Sequence, residues 1–159
     1  MEIYVIFGLP ASGKTFVGNV MQKYFGFYHH DGDQDMTQKY IDAILQEQVT
    51  DEMREEFFST LIASIKKLQQ QKIVISQTFI KEKFRKQFLQ SFPDAKFILV
   101  QTQIDTREKR LPSNRFDLSL KKWRKMASIF EIPNITHSII YNNEDGEENI
   151  KKQLQILIK

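Results

Sequence analysis

Short apolar runs alternate with stretches of helical periodicity along the whole chain. Ile3-Tyr4-Val5-Ile6-Phe7 predicts a buried strand that stops at Gly8, and a helix over 14–24 follows. Phe16, Val17, Val20, Met21 and Tyr24 share one face of that helix, and Gly26 stands as its C-terminal stop. A second strand is read at 27–30, ended by Asp31-Gly32-Asp33, and a short helix at 38–46. Thr50 is a cap for the next helix, with Asp51 and Glu52 at its positive end and a stripe of Met53, Phe57, Leu61, Ile65 and Leu68.

Strands are read again at 73–75, 97–100 and 138–141. Between them lie a helix over 81–91 with Phe84, Phe88 and Leu89 inward, and one over 105–110. Pro112-Ser113-Asn114 is a loop, and Leu120, Trp123, Ala127 and Phe130 form a further helical stripe ended by Pro133. A last helix begins near Asp145 and aligns Ile150, Leu154 and Leu157. Strands apolar on both faces and alternating with helices predict an α/β fold, a parallel sheet covered on each side. One domain over 1–159 is expected, with a small lid around 105–118.

Composition narrows the chemistry. With 41% hydrophobic and 27% charged residues, the chain is ordinary for a soluble globular protein. A net charge of +3 is a mixed surface rather than a nucleic-acid footprint. The absence of cysteine excludes disulfides and thiolate metal sites, and His29 and His30 read as strand residues without a zinc ligand set. The 13 Phe are scattered, which marks core. Met1-Glu2 runs directly into a short apolar strand, so neither a signal peptide nor a membrane span is expected, and a cytoplasmic location is.

The sharpest signal is Gly8-Leu9-Pro10-Ala11-Ser12-Gly13-Lys14-Thr15, a full G-x-x-x-x-G-K-[ST] motif between a strand and a helix. Its backbone N–H groups, including those of Gly8, Ala11, Ser12 and Gly13, can turn toward phosphate oxygens, with the helix dipole behind them. Lys14 then reaches the β- and γ-phosphates of ATP, and the Thr15 hydroxyl completes a Mg²⁺ shell. Asp31-Gly32-Asp33 ends a strand where α/β folds build ligand sites. Asp33 is assigned as the acid that takes the acceptor proton or orders Mg²⁺, with Asp31 as the alternative and a second acceptor-side group. Arg54 either faces an acceptor cleft or stands as a solvated helix charge. Arg107, Arg110 and Arg115 cluster around Pro112, where guanidinium charge can meet a γ-phosphate. The third strand runs into Ser76-Gln77-Thr78 with no aspartate for Mg²⁺, which argues against motor and AAA-type ATPases.

With these residues in view, the chain resembles the gluconate kinase branch of the small-metabolite P-loop kinases, with shikimate kinase a more distant relation. Asp31-Gly32-Asp33 is similar to the family's D-G-D, and Thr50-Asp51-Glu52-Met53-Arg54 to its T-D-E-D-R. Ser76 through Arg85, with Lys81, Phe84 and Arg85, resembles its S-A-L-K-x-x-Y-R segment, and Arg110-Leu111 the R-L that opens its lid. The family continues D-G-D into another acid and a histidine, where this chain has Gln34, Asp35 and Met36. Its lid carries R-x-G-H-F, where only Arg115-Phe116 stands.

The resemblance implies a three-layer P-loop NTPase fold with a five-stranded parallel sheet in the order 2-3-1-4-5. It also implies ATP-dependent transfer to a hydroxyl of a small metabolite by a monomer or homodimer, with Arg54 and Lys81 on the acceptor and Arg110 and Arg115 catalytic. A sugar acid or shikimate-like acceptor, a nucleoside, nucleotide or nucleic-acid end, and a switch module without transfer all remain open.

Overall fold

The computed structural model describes residues 1–111 and 119–158. Five parallel strands, β1 (Glu2–Phe7), β2 (Tyr28–Asp31), β3 (Lys72–Ser76), β4 (Lys96–Gln101) and β5 (His137–Tyr141), form one sheet. Their order is β2-β3-β1-β4-β5, as the resemblance implies. Side chains alternate across a strand, so β1 feeds two cores. Ile3, Val5 and Phe7 join Phe57, Phe58, Leu61 and Ile65 of α3 (Asp51–Lys67) and Phe84 and Phe88 of α4 (Glu82–Ser91). Tyr4 and Ile6 face the other way, onto Val17, Val20 and Met21 of α1 (Lys14–Phe25) and Ile150 and Leu154 of α7 (Glu148–Leu157). Three layers follow from that alternation.

The register sets the position of the chemistry. Asp31 of β2 and Ile6 of β1 both pair with Ser76 of β3, so the C-terminal ends of these strands finish level. Gly8, Asp31 and Gln77 therefore leave the sheet along the same edge. Thr50 caps α3 as expected, accepting from the Met53 amide at 3.2 Å. Among the described residues no helix is long and apolar enough to cross a membrane.

Several boundaries differ from the expectation. β2 reaches Asp31, because that residue both ends the strand and caps the 3₁₀ turn Gly32–Asp35 with its carboxylate. The last helix starts at Glu148 rather than near 145, and α4 starts after Lys81, which sits at its N-cap. β5 is not apolar on both faces, since as an edge strand it leaves Ile139 and Tyr141 exposed. The stripe beginning at Leu120 forms α6 (Leu120–Ser128), but none of its residues is buried in the core. Two more helices, α2 (Gln38–Leu45) and α5 (Ile104–Arg110), complete the described chain.

The chain after β3 is held by a buried arginine. Phe79 is buried and adopts φ 49°, a backbone conformation strained for a bulky side chain. Arg85, fully buried, donates to the Phe79 carbonyl at 2.9 Å, the Glu131 carbonyl at 2.8 Å and Glu82 Oε2 at 2.7 Å. Its guanidinium also lies over the rings of Phe7 and Phe130. Arg85→Ala is expected to cost about 3–5 kcal/mol in chemical denaturation, because it strands Glu82 and buried carbonyls. A loss below about 1 kcal/mol would show that this network is incidental.

Candidate active site

Gly8-Leu9-Pro10-Ala11-Ser12-Gly13 wraps the end of β1 and enters α1. Gly8 has φ 148°, and a Cβ there would stand 2.7 Å from the Val100 carbonyl oxygen. Gly13 has φ 93°, and its Cβ would collide with the Asn142 amide. No other residue fits at either position. Gly13 is the N-cap of α1 and offers no side-chain cap, and the first turn carries no acid. The first N–H groups of α1 are thus kept from a local carboxylate, the arrangement that favours an anionic ligand. The Ser12 carbonyl is pinned from behind by Thr102 Oγ1 at 2.8 Å and Asn142 Nδ2 at 2.9 Å.

The Lys14 ammonium donates to the Leu9 carbonyl at 2.9 Å, folded back on its own loop. Lys14 keeps partial exposure to the cavity, but close packing around its ammonium lowers its pKa to about 8. Asp33 and Asp31 oppose that shift, and Arg107 adds to it by like-charge repulsion. Both carboxylates and the lysine therefore act on one another across a short space.

Asp31 and Asp33 have different surroundings. Thr15 Oγ1 donates to Asp31 Oδ2 at 3.4 Å, and the other Asp31 oxygen accepts from the Asp33 amide at 3.1 Å. Asp33 Oδ1 accepts from Gln77 Nε2 at 3.1 Å. Of the two acids, Asp31 is the one whose carboxylate meets the Thr15 hydroxyl. Below the turn, His30 Nε2 meets Asp35 Oδ2 at 2.6 Å, and Ser64 Oγ donates to Asp35 Oδ1 at 2.6 Å. This buried chain ties the turn to α3 and fixes the direction of the two acids. His29 bridges Asn19 and Ser76, so neither strand histidine faces the ligand space.

A cavity of about 960 Å³ opens in front of the loop. Ala11, Gly13, Lys14, Thr15, Asp31 and Asp33 line one end. Arg54, only 13% exposed at its side chain, and Arg110 line it as well. Arg110 comes from the last turn of α5, and its Nη1 lies 3.8 Å from where a Gly13 Cβ would be. Lys81 is not a lining residue; its Nζ pairs with Asp51 at 3.1 Å, the carboxylate that Arg54 also reaches at 3.4 Å. Arg115 and the part of the expected lid over 112–118 lie outside the described residues.

Three groups escaped the sequence reading. Gln77, read from sequence only as the lack of an acid after the third strand, donates its amide to Asp33. Thr102 and Asn142 hold the phosphate loop from the ends of β4 and β5, a contact that only the strand order reveals. The third is aromatic. Phe57, Phe58, Phe79 and Phe84, read chiefly as core, also line the cavity, and Trp123 and Met126 of α6 line it too.

No protein-family model matches the sequence, and no curated protein is similar to it by sequence. Solved structures do match in three dimensions. A sugar kinase from Janibacter sp. HTCC2649 superposes with a TM-score of 0.79 at 17% identity, over 99% of this chain and 94% of that one. A gluconokinase from Sinorhizobium meliloti 1021 gives 0.77 at 16% identity, over 96% and 88%. Shikimate kinase from Acinetobacter baumannii in complex with shikimate gives 0.72 at 15%, over 99% and 92%. At such identities it is the fold that is shared, and the chain has the α/β P-loop kinase fold of the gluconate and shikimate kinases.

Proposed function

We propose that this chain is an ATP-dependent small-molecule kinase that moves the γ-phosphoryl group of ATP onto a hydroxyl. The observation that carries this reading is that the phosphate loop, Lys14 and two carboxylates open onto one large cavity with room for a second molecule. The loop amides and Lys14 hold the β- and γ-phosphates, with Lys14 leaving the Leu9 carbonyl to do so. Thr15 and Asp31 offer a hydroxyl and a carboxylate side by side, hard oxygen donors that suit Mg²⁺. Among the described residues no group of three or more acids or histidines forms a self-sufficient metal cage. An ion held largely by phosphates and water needs none. When bound, Mg²⁺ supplies charge neutralisation on the phosphates.

Asp33 is the base in this scheme. Its carboxylate, oriented by Gln77, takes the proton of the acceptor hydroxyl as that oxygen bonds to the γ-phosphorus. The bond from phosphorus to the bridging oxygen breaks, and ADP leaves. Arg110 adds positive charge beside the loop, Arg115 is the second candidate, and Arg54 faces the acceptor.

Asp33→Asn is expected to lower kcat about a hundred- to ten-thousandfold while ATP affinity changes little. Asp31→Asn should instead shift the Mg²⁺ dependence, since its carboxylate is the one at Thr15. The measurement is ADP release against Mg²⁺ concentration with pooled sugar acids, shikimate, nucleosides and nucleotides. Normal turnover in Asp33→Asn beside loss in Asp31→Asn would exchange the two roles. Tight ATP binding with no acceptor-dependent ADP release would favour a nucleotide-controlled switch.

A further inference from the structure

Beyond the carboxylates the walls of the cavity carry more aromatic surface than a polyhydroxy acid calls for. Every hydroxyl buried without a partner costs binding free energy, so a sugar acid needs a polar, hydrogen-bonding wall. Much of the wall is aromatic, with Tyr40, Trp123 and Met126 lining the space and the core rings of Phe57 and Phe58 behind them, beside Arg54, Thr78 and Lys122. Tyr40 and Phe57 lie with ring centroids 5.1 Å apart and planes within 10° of parallel, a stacked pair. Burial of the Tyr40 phenol and the nearby Asp33 charge push its pKa up to about 12, against the pull of Arg54, so it stays neutral. Trp123 brings the sharper clue. Its indole Nε1–H is buried and has no hydrogen-bond partner among the described residues, although the side chain lines the cavity. A buried donor left unmet in a binding space asks for an acceptor on the ligand.

We infer that the acceptor is a nucleoside, an alcohol carried on a planar heteroaromatic ring with a ring carbonyl or ring nitrogen. This rests on the kinase reading above and names the substrate class of the same site. The base lies against the aromatic wall at Tyr40, since every base presents a π-face and stacking needs no fixed polar pattern. A ring carbonyl or nitrogen accepts from Trp123 Nε1. The sugar hydroxyl then faces Asp33, its oxygen bonds to the γ-phosphorus, its proton passes to the Asp33 carboxylate, and ADP departs.

Trp123 is the only tryptophan of the chain, so its fluorescence reports on this wall without reference to turnover. The experiment titrates purine and pyrimidine nucleosides, gluconate and shikimate into the full chain with a non-hydrolysable ATP analogue and Mg²⁺. In parallel, phosphorylated products are measured by mass spectrometry with ATP. Saturable quenching by a nucleoside, with nucleoside monophosphate as product, is the expected result. By calorimetry, Tyr40→Ala should weaken nucleoside binding by between about fivefold and a hundredfold, and Tyr40→Phe should restore it. Trp123→Phe, which keeps a ring and removes the donor, should weaken it about tenfold. Phosphorylation of gluconate or shikimate with a higher kcat/KM than any nucleoside overturns the inference and leaves the kinase reading standing. Nucleoside binding sensitive to Tyr40 and Trp123 but without phosphoryl transfer supports the recognition and overturns the kinase reading. No nucleoside binding by either method overturns the inference outright.

Discussion

Replacing Lys14 by alanine is expected to take phosphoryl transfer below detection while leaving the melting temperature unchanged or raised. In the free protein the ammonium makes one hydrogen bond, to the Leu9 carbonyl, and its crowded position disfavours its charge. Removing it deletes a desolvation cost rather than a core contact, so the fold has little to lose. The γ-phosphate loses its fixed cation, and the transition state loses it at the moment charge shifts toward the leaving oxygen. Turnover and thermal melting on the same preparation decide this. A folded variant with normal turnover would end the kinase assignment.

The same lysine predicts a pH dependence. With its pKa near 8 in the free protein, Lys14 binds phosphate in the charged form only. Below pH 8 the amine is already protonated, and ATP affinity should be flat. Above pH 8 binding must take up a proton, and affinity should fall by up to about tenfold per pH unit. Folding follows the opposite sign. The unfolded lysine titrates near its ordinary 10.5, so the unfolded state holds the extra proton and stability from this group rises with pH between about 8 and 10.5. Calorimetric ATP titrations from pH 7 to 9.5, set against denaturation at the same pH values, separate the two. Constant affinity across that range would mean that the ammonium keeps its charge throughout.

The sheet was legible because its central strands β1, β3 and β4 are compact apolar runs and each core helix has a clear stripe. Val5 and Phe7 face one core and Tyr4 and Ile6 the other, a consequence of strand geometry rather than of sequence detail. The loop over 8–13 was legible as a glycine-rich turn for a related reason. Its glycines and lysine lie within one short stretch, and the reading needs only the backbone of that stretch. The acceptor side was harder to read because its residues converge from distant elements. Tyr40 on α2, Phe57 on α3, Phe84 on α4 and Trp123 on α6 each satisfy a local apolar stripe, and nothing in a stripe says whether it meets core or ligand. Gln77 was legible only as a missing acid, and its contact to Asp33 depends on β2 and β3 ending level. The resemblance implies acceptor roles for Lys81 and Arg54; Asp51 pairs with both, but only Arg54 lines the cavity. A local motif does not determine which of two neighbouring cations will reach a cavity built from other elements.

Arg110→Ala is expected to lower kcat by about 10³–10⁵ with only a small change in the ATP dissociation constant. Arg110 is set by the last turn of α5, lines the cavity, and places a guanidinium nitrogen near Gly13. That position is beside the phosphate loop, where a fork of donors can follow the γ-phosphoryl group as it leaves ADP. Its energy is spent on charge that develops during transfer, so the loss should appear in kcat rather than in ground-state binding. Arg110→Lys keeps a point charge but not the planar fork, and should recover only part of the rate. Arg54→Ala is the contrasting variant. Its side chain lines the same cavity from α3, tied to Asp51, and should act mainly through the acceptor KM. Single-turnover measurements with saturating ATP and graded acceptor separate these outcomes. If Arg110→Ala changes KM alone and Arg54→Ala changes kcat alone, the two arginines have exchanged roles. Should Arg115→Ala cause the larger loss of kcat, the transition-state charge comes from that arginine, and Arg110 only holds the loop.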